Sequence, residues 1–194
     1  MINHIMKKSI TTSIFAFSLA LSFAQTYHSG NITSNETWTA GTHIITSTVT
    51  VSDGVTLTID PDCVVKFNSQ TALIIDGVLI SNGSDDHRIY FTSNLAVPAP
   101  GDWRNISFSS ADPGCLMNYC EVEYGGYQYG SVLIHASETN VTISNSVLRN
   151  SGTAGAFISD NYGTASTPEF INCTFFSNAT YGLDCVPGYS NVIL

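Results

Sequence analysis

At 194 residues the chain has the length of one domain, and its six Lys and Arg stand against 15 Asp and Glu, for a net charge of −9. An acidic surface of this kind repels phosphate backbones and anionic headgroups, which excludes nucleic acid and adhesion to anionic lipid. The balance fits a protein that meets cations or neutral glycans.

Residues 1–24 read as a secretory signal. Lys7 and Lys8 form a basic start, an apolar stretch runs from Ile10 to Leu21, and Ser22-Phe23-Ala24 places small residues ahead of a cleavage point before Gln25. The stretch is too short and too rich in Ser and Thr for a membrane anchor. No later segment has the composition to span a bilayer, so no membrane insertion is expected after cleavage. Removal of the signal leaves Lys66, Arg88, Arg104 and Arg149 against the same 15 acidic residues, a net charge of −11. The expected location is secreted, extracellular or at the cell surface, where disulfides are permitted. The five cysteines are Cys63, Cys115, Cys120, Cys173 and Cys185; an odd number leaves at least one thiol unpaired. None of their spacings is a zinc pattern, and neither a metal nor a cofactor is expected.

Beyond the signal, residues 25–54 are expected to form lead-in or cap strands and residues 55–194 the body. No sustained apolar i, i+3, i+4 pattern marks a helix. Short β-forming runs appear instead, at Val49-Thr50-Val51, Val55 to Ile59, Val64 to Phe67 and Leu73 to Ile75. Turn chemistry (Asp-Gly, Asn-Gly, Asp-Pro) separates them. Thr56-Leu57-Thr58-Ile59-Asp60 recurs 16 residues later as Ala72-Leu73-Ile74-Ile75-Asp76.

A longer repeat decides the fold class. Tyr119-Cys120-Glu121-Val122-Glu123-Tyr124 aligns with Asn145 to Asn150 after 26 residues, and with Asn172 to Ser177 after a further 27. A unit of this size cannot bury its own apolar face and must stack on the next. The prediction is an all-β parallel solenoid of roughly six to eight coils, with neighbouring strands about 4.8 Å apart. Side chains two apart share a face. Cys120, Ser146 and Cys173 therefore form an inward column of small groups, with Val122, Leu148 and Phe175 beside them. Glu123, Arg149 and Phe176 point outward. Asn145 and Asn172 fall in the preceding bend, where Asn tolerates a left-handed backbone and stacked amides can bond. Cys120 and Cys173 sit two coils, about 9.6 Å, apart, beyond disulfide reach. They read as core fillers; Cys115 with Cys120 is the one local pair.

The units Ile143 to Asn150 and Phe170 to Phe175, with Gly155 and Gly182 opening the next strand, resemble the right-handed parallel β-helix repeats of the pectin-lyase-like superfamily. The segments Gly54 to Ile59, Ile89 to Thr92 and Gly101 to Arg104 are similar to the opening coils of bacterial surface β-helix proteins, and Trp103 resembles a packing residue of that family. The resemblance implies a right-handed helix. It also implies that, where the fold is catalytic, the chemistry is polysaccharide lysis or glycoside hydrolysis on an outer sheet face. Lyases of this kind use acidic calcium ligands with an Arg or Lys base, and hydrolases use several Asp. Neither set is apparent. The expected outward column Val132, Phe157, Asp184 holds one carboxylate and no base.

Glu121 and Glu123 are the remaining carboxylate pair, about 6.8 Å apart along one strand, a separation that suits glycosidic acid/base chemistry. Arg149, one coil away, offers them a cross-strand charge partner instead. His135 and Asp160 lie near one repeat apart, and the turns Asp60-Pro61-Asp62 and Asp85-Asp86-His87 gather charge without the ligand count of a calcium loop. Tyr124, Tyr127 and Tyr129 flank glycines and could stack on sugar rings. The sequence thus points to a structural or adhesive β-helix module that binds extracellular polysaccharide through these tyrosines. The alternative is the N-terminal fragment of a polysaccharide lyase or glycoside hydrolase whose active-site coils lie beyond Leu194, since Asn191 to Leu194 reads as the start of another strand.

Overall fold

The computed structural model describes residues 25–109, 111–127, 133–137, 140–159 and 167–185. The predicted signal and the strand start at 191–194 lie outside these residues. Among the described residues there are 18 strands and no helix. β1 (Gln25–Ile32) leads into a coil of β2 (Glu36–Trp38) and the long β3 (Gly41–Val51). Five coils of three strands follow. They are β4 (Thr56–Ile59), β5 (Cys63–Phe67), β6 (Leu73–Ile75); β7 (Val78–Asn82), β8 (Ile89–Ser93), β9 (Ile106–Ser109); and β10 (Leu116–Asn118), β11 (Cys120–Glu123), β12 (Ile134–Ser137). Next come β13 (Thr142–Ser144), β14 (Val147–Arg149), β15 (Ala156–Ser159), and finally β16 (Glu169–Ile171), β17 (Thr174–Phe176), β18 (Leu183–Cys185).

Every pairing is parallel, and the strands build three faces. One runs β2-β4-β7-β10-β13-β16. The other two share β3: its first half pairs with β5 and its second with β6, and each continues coil by coil to β17 and β18. The predicted registers hold. Val122 pairs with Leu148 and Leu148 with Phe175, while Met117, Ile143 and Phe170 align on the neighbouring face. The 16-residue recurrence is not a stacking step. β4 pairs with β7, and β6 pairs with β3 and β9, so Leu57 and Leu73 lie on different faces of one coil. Both runs share a pattern because each has one face in the same core.

That core is continuous. Val65, Phe91, Val122 and Leu148 are buried one above another, and the large rings of Trp38, Phe67, Trp103 and Phe108 are buried in the same cluster. All five cysteines are free thiols, including Cys115 and Cys120. Cys120 Sγ lies 3.2 Å from Ser81 Oγ, and burial pushes its pKa up to about 12. Such a thiol packs as a small neutral group.

The corners follow from local chemistry. Tyr119, Asn145 and Asn172 have φ of 50°, 49° and 52°, a single left-handed residue that turns the chain between faces. Amides climb this corner. Asn118 donates to Asn82 and Asn145 to Asn118, both at 2.9 Å, and Asn172 donates to Asn145 at 3.3 Å. At the next corner Gly101, Gly126 and Gly152 approach closely. A Cβ on Gly126, where φ is +87°, would strike Ser151 Oγ and come within 3.0 Å of the Gly152 nitrogen. Gly126→Ala is expected to lower unfolding stability by about 1–3 kcal/mol, through backbone strain and overpacking. Urea denaturation checks this, and an unchanged midpoint would contradict it.

Candidate functional site

β11 alternates inward Cys120 and Val122 with outward Glu121 and Glu123, as its burial pattern requires. Parallel pairing places Val147 beside Glu121 and Arg149 beside Glu123. Arg149 then closes on both carboxylates. Its Nη2 lies 2.5 Å from Glu121 Oε1 and 2.7 Å from Glu123 Oε2, and its Nε donates to Glu121 Oε1 at 2.6 Å. The contact to Glu123 Oε2 is an ion pair outside hydrogen-bond geometry, whereas Thr92 donates to Glu123 Oε1 at 2.9 Å. Phe176 covers the guanidinium, with 5.7 Å from Cζ to the ring centre. Partial burial pulls the Arg149 pKa down, but Glu123 and Glu121 outweigh it, so the net shift is upward. The two glutamate side chains are only 16% and 12% exposed. A glycosidic acid needs a carboxyl held neutral and aimed at the leaving oxygen. Here both carboxylates are engaged by one cation.

Tyr124 and Tyr127 follow directly on β11, both half-buried. The 124–127 segment runs against the loop before β9: Asp102 N donates to Tyr124 O at 2.9 Å and Tyr127 N to Trp103 O at 3.0 Å. That loop carries Leu95 and Val97, 47% and 83% exposed. Tyr129 lies outside the described residues.

On the third face the register differs from the sequence reading. Phe157 pairs with His135 and with Asp184, so His135 takes the place expected for Val132, which lies outside the described residues. The shift has a simple cause. The stretch between β11 and β12 is longer than its counterpart between β14 and β15, so counting on from Gly130 as from Gly155 lands three residues early. His135 stacks on Phe157 at 5.8 Å and lies 3.3 Å from Ser107 Oγ and 3.1 Å from Ser159 Oγ. Burial lowers its pKa. Its expected neighbour Asp160 lies outside the described residues. The acidic turns do meet: His87 Nδ1 is 2.9 Å from Asp62 Oδ2, and Arg88 Nη2 is 3.5 Å from Asp85. Among the described residues no cluster of three or more His, Cys, Asp or Glu could hold a metal.

One cluster escaped the sequence reading. His28 of β1 stacks on Trp38 at 4.0 Å and lies 5.1 Å, centre to centre, from His43 of β3. His28 Nε2 is 2.9 Å from His43 Nδ1, and His43 Nε2 is 2.8 Å from Thr39 O. Glu36 Oε1 accepts from Trp38 Nε1 at 2.8 Å and stands 3.7 Å from His28 Nδ1. A cleft of about 330 Å³ opens beside them, lined by Ser29, Asn31, Thr33 and Ser34 among others. His28 and His43 are not register partners, since Thr26 is the residue paired with His43. No repeat period could have found them.

A family model described as right handed beta helix region matches residues 8–194. The chain belongs to the right-handed β-helix family. The all-parallel, three-faced stack is the architecture of that family, and the pectin-lyase-like superfamily fits it. Comparison with curated proteins and with solved structures gives no match. The family match covers the β-helix as a fold and names no substrate.

Proposed function

We propose that this β-helix is an exported module, structural or adhesive in role, that binds extracellular polysaccharide on its outer surface. The observation that carries the reading is the engagement of both Glu121 and Glu123 by Arg149, which makes this paired-carboxylate feature of the outer face a clamp between coils. Beside that clamp, Tyr124 and Tyr127 lie next to the loop that exposes Leu95 and Val97. Apolar ring faces with polar tips suit sugar rings, whose own faces are apolar and whose rims carry hydroxyls. The acidic charge favours neutral over anionic polymers, and the basic, small-residue layout of residues 1–24 supports export.

The test is a glycan array with the recombinant protein, followed by calorimetry on the polymer bound. Binding to a neutral polysaccharide that falls at least tenfold in Tyr124→Ala/Tyr127→Ala is the expected result. Absence of any glycan signal would remove the binding reading. Depolymerisation of pectin-type or neutral polymers would replace it with the enzyme reading.

A further inference from the structure

We propose that β1 is an acid-released strand: protonation of His28 puts a charge into its packed position beside Trp38 and His43 and frees β1 from the edge of β3. Thr39 O can only accept, so the hydrogen of His43 sits on Nε2. His43 Nδ1 then carries the lone pair that receives the hydrogen of His28 Nε2. One chain of bonds, from β1 through β3 to the Thr39 carbonyl, thus uses both hydrogens of a neutral pair. A further proton has only His28 Nδ1 to occupy.

That atom is poorly placed for a charge. The His28 side chain is 11% exposed, and its counter-charge, Glu36 Oε1, stands at 3.7 Å and already accepts from Trp38. Burial, then the neighbouring His43, lowers the His28 pKa, with Glu36 opposing. The surroundings supply little more. Besides Glu36 on β2 and His43 on β3, β5 brings Cys63, whose thiol is pushed up to about 11, chiefly by burial, and donates to the Trp38 and Thr39 carbonyls. Lys66 is on the alternate face of β5, in register with Ile44, and Asp60 and Asp62 flank the turn before it. β4 and β6 carry no titratable side chain, and β1 adds only Tyr27.

The sign is definite. A histidine with a lowered pKa favours docking fully above its unfolded value of about 6.5, and the contribution is lost as pH falls through the folded pKa. β1 is the element this affects, because among the described residues β3 is its sole strand partner. Its release bares the β3 edge from Thr42 to Ile45 and from Val49 to Val51.

Amide hydrogen exchange on the whole chain at pH 7.5 and 5.0, corrected for intrinsic rates, tests this. Opening of Thr26 to Ile32 should rise by about tenfold for each unit of His28 depression, with β11 unchanged. His28→Gln keeps a donor toward His43 but takes no proton, and should abolish the rise. Equal β1 protection at both pH values, or the same rise in His28→Gln, would overturn the proposal. If that variant does not fold, the imidazole titration of the native protein decides by NMR. A His28 pKa below about 6.5 supports release, and one at or above it defeats release.

Discussion

Arg149→Met should destabilise the protein by about 2–3 kcal/mol, more than an exposed ion pair contributes and less than a fully buried one. The methionine keeps an aliphatic stem but leaves Glu121 and Glu123 on one face of one strand without their cation, each mostly covered. The loss comes chiefly from that stranded charge. Glu121→Gln/Glu123→Gln in the Arg149→Met background should therefore recover most of it, although the triple variant has no ion pair at all. Urea denaturation of the single and triple variants makes the comparison. A loss in Arg149→Met below about 0.5 kcal/mol would place the cluster among ordinary surface pairs and remove the argument that it clamps successive coils.

Trp103→Ala is the larger expected effect, about 3–5 kcal/mol. Trp103 is fully buried, lies flat on Phe67 at 3.9 Å between ring centres, and donates from Nε1 to Glu123 O at 2.9 Å. Its carbonyl accepts from Tyr127 N at 3.0 Å. The side chain thus ties the 94–105 loop to the core and to the end of β11, while the backbone of the same residue joins it to the tyrosine segment. Trp103→Phe restores the stacked ring but leaves the Glu123 carbonyl without its donor, and should cost about 1–2 kcal/mol. Trp38, the other of the two tryptophans, remains as the fluorescent probe of unfolding. Equal stability of Trp103→Ala and the native protein would mean that the loop is anchored elsewhere. The same substitution should weaken any glycan binding carried by Tyr124 and Tyr127.

Much of this molecule is legible in the residues because stacking translates sequence period into spatial contact. The 26- and 27-residue offsets name Val122, Leu148 and Phe175 as successive levels of one core column, and these residues pair as named. The same offsets set Arg149 beside Glu123 and align Asn145 with Asn172. Where turn length varies, the reading slips. His135 replaces Val132 opposite Phe157 because one turn is longer, and a period counted along the chain has no means to register that. The 16-residue recurrence of Leu57 at Leu73 is of another kind: two faces of one coil share a pattern because both border one core.

Whereas the free state of all five cysteines is a finding of the structure, the sequence by itself determined the all-β class, the coil period and the direction of side chains within the repeat. Each follows from alternation along a strand and from the need of every coil to be covered by the next. Only the tertiary structure decided what lies off the period. It showed that Arg149 reaches both carboxylates, that the asparagine ladder runs through four residues, and that His28, Trp38, His43 and Glu36 gather below the stack. These contacts depend on side-chain reach and on where loops return the chain, quantities that a repeat register does not contain.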